Sequence, residues 1–371
     1  MLKFHNQLAA NHLNGNLLFS PKRDLLIVPS ANKISCVDLK QYSQACLNAK
    51  SRYDILMQDI SPCGKFLVFA DEFNRLTLTS LASKGSVIGK YIVSKRHGNS
   101  KITCIKFSST GQLAVSASNV ILLYDIPVIR DVSKLTPNVF KLLRVFNESR
   151  SLADVTTLAW SADGSSLVSG NSNGNAVVYT AVRINKSLKT RLIITRLVGN
   201  DRGETVKVFM MKNGSVLTVS SNRFIRVYEK HENLDSDSEE EEDKNEPMGD
   251  SNVDEKVHQI HYVSLAKVGN PDKNEKREER QNANVGQLFS YECKVREHVL
   301  AENNYDITCA DFYEKSGLLA VGQKDGSFSM FDIPDLNLIH REGLKLKLPH
   351  LPKSVKKIYL LVILRFFDSC L

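Results

Sequence analysis

No two of the seven cysteines stand in a CxxC pair, and their odd, scattered set (Cys36, Cys46, Cys63, Cys104, Cys293, Cys309, Cys370) excludes a disulfide framework and a zinc ribbon. The opening MLKFHNQLAANHL lacks a basic start followed by an apolar core, so no signal peptide is expected. The longest apolar run, Ile358 to Leu364, is too short to span a bilayer. These absences point to a reducing compartment, cytosol or nucleus, and to no membrane partner.

Catalytic signatures are missing as well. There is no GxxxxGK[ST], no HExxH and no GxSxG, so neither a phosphate cradle, a zincin helix nor a nucleophile elbow is present. His258 and His261 are three apart but lie in a strand or linker context, where they read as solvated side chains rather than zinc ligands. The paired carboxylates fall mainly in one acidic run, where water screens them. No enzyme, cofactor, metal or small-molecule substrate is expected.

What is present is charge, unevenly spread. Between Glu232 and Lys256 stand twelve acids against two bases, a net of −10. The whole chain carries +8, so the other residues carry +18. A body that basic calls for an anionic partner, nucleic acid first.

A repeat is also present. The single tryptophan, Trp160, sits in VTTLAWSADGSSLVSGNSNGNAVVYT, and five other stretches follow the same plan. Each reads as a short alternating strand, a polar turn, an apolar strand, a second turn and a third strand. The first strand ends at Phe19, Ile60, Phe107, Trp160, Met210 and Phe312, anchors spaced by 41, 47, 53, 50 and 102 residues. These anchors are expected in the blade cores. The second turn carries Asn32, Asn74, Asn119, Asn173, Asn222 and Asp325, residue types that tolerate left-handed backbone angles. The glycine-rich stretch after Trp160 is therefore a hairpin turn.

A mostly β repeat of this period is that of WD40 propellers, and the units resemble WD40 repeats in degenerate form. Val37-Asp38, Tyr124-Asp125, Tyr179-Thr180, Tyr228-Glu229 and Phe331-Asp332 stand where Trp-Asp is usual. The expected fold is an all-β WD40-type β-propeller with six recognisable blades of seven. Residues 1–231 hold blades one to five, 232–285 a disordered acidic and charged insertion, 286–345 a sixth blade closing on the same propeller, and 346–371 an atypical tail. DSDSEEEEDKNE, within the insertion, surrounds Ser236 and Ser238 with acids, as an acid-directed kinase prefers.

The opening LKFHNQLAANHLNGNLLFSPKRDLLIVPSANKISCVDLK, the acidic insertion after the fifth unit, HYVSLAKVGN and above all GQKDGSFSMFDIPDLNLIH resemble the periodic tryptophan protein 2 family. The likeness covers roughly residues 2 to 341. It implies a nucleolar scaffold of the small-subunit processome, acting in pre-rRNA processing and small ribosomal subunit biogenesis. The implied partners are fellow WD40 proteins, the snoRNA-containing particle and the pre-rRNA leader. A WD40 protein-interaction adaptor outside ribosome assembly is the alternative. The family's second propeller has no counterpart here, and nothing after His340 resembles it, as a truncated gene model would explain. Direct RNA contact is expected from basic connecting segments, with Lys84, Lys90, Lys95, Arg96, Lys101, Lys186, Lys189 and Arg191 as candidates.

Overall fold

The computed structural model describes residues 16–20, 24–41, 43–93, 101–131, 138–147, 153–184, 190–199, 203–232, 260–268, 288–300, 305–325, 327–333 and 338–342. They form six antiparallel sheets arranged as propeller blades. Blade one holds β1 (Leu18–Ser20), β2 (Leu25–Ser30), β3 (Lys33–Asp38) and β4 (Gln44–Lys50). Blade two holds β5 (Ile55–Ile60), β6 (Phe66–Asp71), β7 (Arg75–Ser80) and β8 (Ser86–Ile92). Blade three comprises β9 (Ile102–Phe107), β10 (Gln112–Ala117), β11 (Val120–Asp125) and β12 (Lys141–Asn147), with a one-turn helix α1 (Pro127–Arg130) between the last two.

Blade four is built from β13 (Val155–Trp160), β14 (Ser166–Asn171), β15 (Ala176–Ile184) and β16 (Arg191–Leu197). Blade five begins with β17 (Thr205–Met210), β18 (Val216–Ser220) and β19 (Phe224–Glu232). The chain then returns as β20 (Ile260–Tyr262) along β15 of blade four, before β21 (Phe289–His298) completes blade five beside β19. Blade six is β22 (Ile307–Tyr313), β23 (Leu318–Gln323), β24 (Phe328–Asp332) and β25 (Leu338–Glu342). First strands touch in the order β1, β5, β9, β13, β17, β22.

The second strands are covered on both faces by neighbouring blades, so they read as nearly unbroken apolar runs rather than alternations. FLVFAD, QLAVSA and LLAVGQ are buried at every position. Apolar clusters fill the spaces between consecutive blades. Leu67 and Phe69 pack against blade one, Val115 and Tyr124 against blade two, and Leu319 and Val321 against blade five. Hydroxyls add a polar stitch near the axis. Thr103 donates to the Val155 carbonyl of the next blade at 2.5 Å, and Thr156 repeats the contact with Thr205. In the first hairpin turn a glycine takes the left-handed angle in five blades, at Gly64, Gly111, Gly164, Gly214 and Gly317.

Four sequence expectations change. The sequence of each repeat unit shows three strands, and the fourth strand of each blade lies in the connecting segment. These outer strands are exposed on one side and carry mixed patterns such as QACLNAK, which hides their period. The boundary at residue 286 also moves, because 289–298 completes blade five.

The insertion 232–285 is not disordered throughout. Residues 260–268 are ordered against blades three and four, and Leu265 is fully buried in the cluster between them. Lastly, the recurrent asparagine is seldom the left-handed residue. That role falls to Ala31, Asn74, Ser118, Gly174 and Arg223. Where an amide side chain matters, it accepts from backbone: Asn171 from Asn173 and Asn175, each at 3.1 Å.

The six anchors do end, or nearly end, the first strands. Only Phe107 is buried, however; Phe19, Ile60, Trp160, Met210 and Phe312 are half-buried, because the strand nearest the axis has a neighbour on one edge only. Trp160 packs at the blade three–four cluster, and its indole donates to the Lys106 carbonyl at 3.1 Å.

Candidate interaction surfaces and the axial cluster

In an up-and-down blade, the first and third turns lie at one rim. The second turn and the connection to the next blade lie at the other. Among the described residues, the basic side chains expected to touch RNA do not share a rim. Lys84 is exposed in the third turn of blade two, and Arg191 is exposed at the start of β16 on the same rim. Lys101 is exposed just before β9, at the opposite rim, and Lys90 is exposed along β8 between the two. Lys95, Arg96, Lys186 and Lys189 lie outside the described residues, as do Ser236, Ser238 and the tail 346–371. The four described positions are thus scattered candidates rather than one patch.

The structure gathers a different set that sequence reasoning missed. The residues just before three anchors are Asp59, Lys106 and Asp311, and Lys207 stands three before Met210. They belong to the first strands of blades two, three, six and five, and they meet around the axis. Lys106 Nζ lies 3.6 Å from Asp59 Oδ1, while Asp59 Oδ2 accepts the Phe107 amide at 2.7 Å. The site is deep but not sealed: the Lys106 side chain keeps 30% of its exposure and that of Asp59 keeps 9%.

The two lysines and Asp311 are perturbed in a readable direction. The Asp59 carboxylate beside it holds Lys106 above the usual lysine range. Burial pushes Lys207 down, and repulsion from Lys106 adds to this, against the pull of Cys104, Asp311 and Asp59. Burial pushes the Asp311 carboxyl up, opposed by Lys207, by the Phe312 amide it accepts at 3.0 Å and by Lys106. Cys309 is pushed up by burial. A cluster of two lysines and two aspartates balances its own formal charge and binds the inner strands of four blades together. The alignment of anchors shows charged residues one and three places upstream, but nothing in it says that they meet.

A second ordered feature is the strap 260–268. Its Ser264 hydroxyl meets the Gln112 amide of blade three, and its Tyr262 hydroxyl bonds Lys230 and Glu232 of blade five. Lys230 Nζ lies 4.3 Å from the Tyr262 ring centre and 4.1 Å from that of Phe289, a cation held between two aromatic faces. The strap thus ties three blades at one rim. His261 is exposed on strand β20, and His258 lies outside the described residues.

Among the described residues no group of three or more His, Cys, Asp or Glu is placed to hold a metal. No helix there is long and apolar enough to cross a membrane.

The WD domain, G-beta repeat model matches residues 89–125 and 140–180. Both matches begin in the outer strand of one blade or its approach and end in the third strand of a blade, so the sequence repeat is offset from the blade by one strand. Periodic tryptophan protein 2 of Saccharomyces cerevisiae is 24% identical over 342 residues, covering 91% of this chain and 32% of that protein. The Arabidopsis thaliana protein of the same name is 23% identical over 354 residues, covering 91% and 37%. A Dictyostelium discoideum homologue is 29% identical over 177 residues, covering 47% and 18%. The chain therefore spans between 18% and 37% of these relatives' length. Among solved structures, the Cps50 (Swd1) β-propeller domain of Myceliophteria thermophila superposes with a TM-score of 0.59 at 13% identity, covering 92% of this chain and 89% of that one. A chain of a mitotic checkpoint complex gives 0.55 at 12% identity, covering 90% and 77%. At such identities these two likenesses establish the fold alone.

Proposed function

We propose that this chain, which belongs to the periodic tryptophan protein 2 family of WD40 proteins, is a non-catalytic scaffold of the nucleolar small-subunit processome. In this reading it docks fellow WD40 proteins and holds pre-rRNA and its snoRNA during small ribosomal subunit biogenesis. The observation that carries the proposal is the similarity to periodic tryptophan protein 2 across 91% of the chain. The net +18 outside residues 232–256 supports an anionic partner.

The physical basis is rigidity with a large perimeter. Interlocked blades fix the relative positions of two loop-bearing rims and six outer strand edges, so several partners can be held at once without a catalytic pocket. Outer strands such as β4, β8 and β21 are exposed along much of their length and offer backbone edges to partners.

Gradient sedimentation of cell extract tests the reading. The protein should run in a large nuclear particle that RNase treatment collapses. Sedimentation as a small, cytosolic, RNase-insensitive species would overturn it and leave an adaptor binding protein alone.

A further inference from the structure

Phe73 is 57% exposed at the tip of the second turn of blade two, a turn that is firmly held. The buried Asp71 carboxylate accepts the Phe73 and Arg75 amides, each at 3.0 Å, and takes the Ser51 hydroxyl at 2.8 Å. Asn74 occupies a left-handed angle of 60°, and its side chain accepts the Ile102 amide at 2.9 Å. The Asn74 carbonyl accepts Val93, and the Glu72 amide donates to Asp54. Two adjoining segments, 51–54 and 71–75, are thereby locked to each other and to blade three. Blade four repeats this turn without an aromatic residue between Asn171 and Asn175, so what sets blade two apart is the exposed Phe73.

The neighbours define what meets it. The Phe73 and Tyr53 ring centres are 4.0 Å apart with planes at 40°, and the Arg52 guanidinium lies 5.6 Å from the Tyr53 centre. Arginine and two aromatic rings thus form one group whose outermost ring, Phe73, is open. Arg75 stands beside it in β7, facing the exposed Ile92 across the β7–β8 pair. Asp54 and Glu72 are exposed on the same turns. Among the described residues neither Arg52 nor Arg75 is held in an ion pair. Single-stranded nucleic acid is bound by this combination of stacking faces and guanidinium groups outside ion pairs.

We infer that Arg52, Tyr53, Phe73 and Arg75 form a stacking platform for single-stranded RNA. One base lies on the open face of Phe73, with backbone phosphates at Arg52 and Arg75. The inference rests on the proposal above that the chain contacts RNA, and it names a site different from the basic loops.

Fluorescence anisotropy of the full chain with a short labelled oligouridylate tests it. Phe73→Ala should weaken binding about 5- to 100-fold, as loss of one stacked base does. Phe73→Leu should weaken it similarly, and Phe73→Tyr should restore it. Arg52→Ala should lower the slope of log affinity against log salt by about 0.7, one phosphate's share. Because Phe73 is exposed, melting temperatures should be unchanged. Failure of the unsubstituted chain to bind would overturn the RNA reading itself. Binding that Phe73→Ala leaves intact would overturn this site alone. Full retention by Phe73→Leu would show plain apolar docking, as for a protein partner, and overturn base stacking.

Discussion

Two lysines of the axial cluster, in blades three and five, should respond unequally to neutralisation. Lys106 has an acidic partner and a raised pKa, so it contributes stability below the ordinary lysine range, lost as pH rises through the raised value. Lys207 has a lowered pKa, so its charge costs stability at neutral pH, and the cost vanishes as pH rises through the lowered value toward the ordinary one. Lys106→Met should therefore destabilise at pH 7 by about 1–2 kcal/mol, leaving Asp59 without its ammonium. Lys207→Met relieves a buried ammonium but removes the main counter-charge of Asp311, so it should change stability less than Lys106→Met does. Urea melts of both variants at neutral and alkaline pH check this, and an equal or larger loss for Lys207→Met at pH 7 would contradict the cluster's electrostatics. Trp160→Ala should cost about 2–3 kcal/mol, below the figure for a fully enclosed aromatic, because the ring is only half-buried. Thermal unfolding followed by circular dichroism, which does not depend on the lost indole, measures it.

At the scale of elements, the strap separates two parts of one insertion. Leu265 is fully buried between blades three and four, so Leu265→Ala should cost about 2–4 kcal/mol. Deleting residues 235–256, which lie upstream of β20, should change stability by well under about 1 kcal/mol, since loop length enters closure entropy only logarithmically. Comparing the two variants in one denaturant series distinguishes a docked segment from a connector. A large loss on deletion would show that the acidic run packs. The strap was not legible in the sequence because IHY is three residues long and flanked by charged stretches, with no period to detect. The fourth strands escaped for a related reason: an outer strand buries only part of one face, and its sequence keeps polar residues on the rest.

For the whole molecule the governing quantity is charge. A body of +18 facing an acidic run of −10 should bind RNA with an affinity that falls steeply as salt rises. Removing residues 235–256 should raise non-specific RNA affinity at low salt, with the difference closing as salt screens it. Filter binding across a salt series measures both, and an affinity indifferent to the deletion would show that the acidic run does not compete with RNA.

The sequence by itself determined the repeat, its six units and the first-strand ends at Phe19, Ile60, Phe107, Trp160, Met210 and Phe312. Those features are local: alternation, turn chemistry and a recurring spacing are each written within about 30 residues, and hydrophobic period alone reveals them. Tertiary structure decided what lies between units. It alone brought Asp59, Lys106, Lys207 and Asp311 from four blades to one axis, because each occupies an ordinary polar position in its own strand. It alone placed Leu265 under blades three and four, and set Phe73 on a locked turn beside Tyr53. A period fixes which residues share a face within a blade; only closure of blade against blade fixes which faces meet.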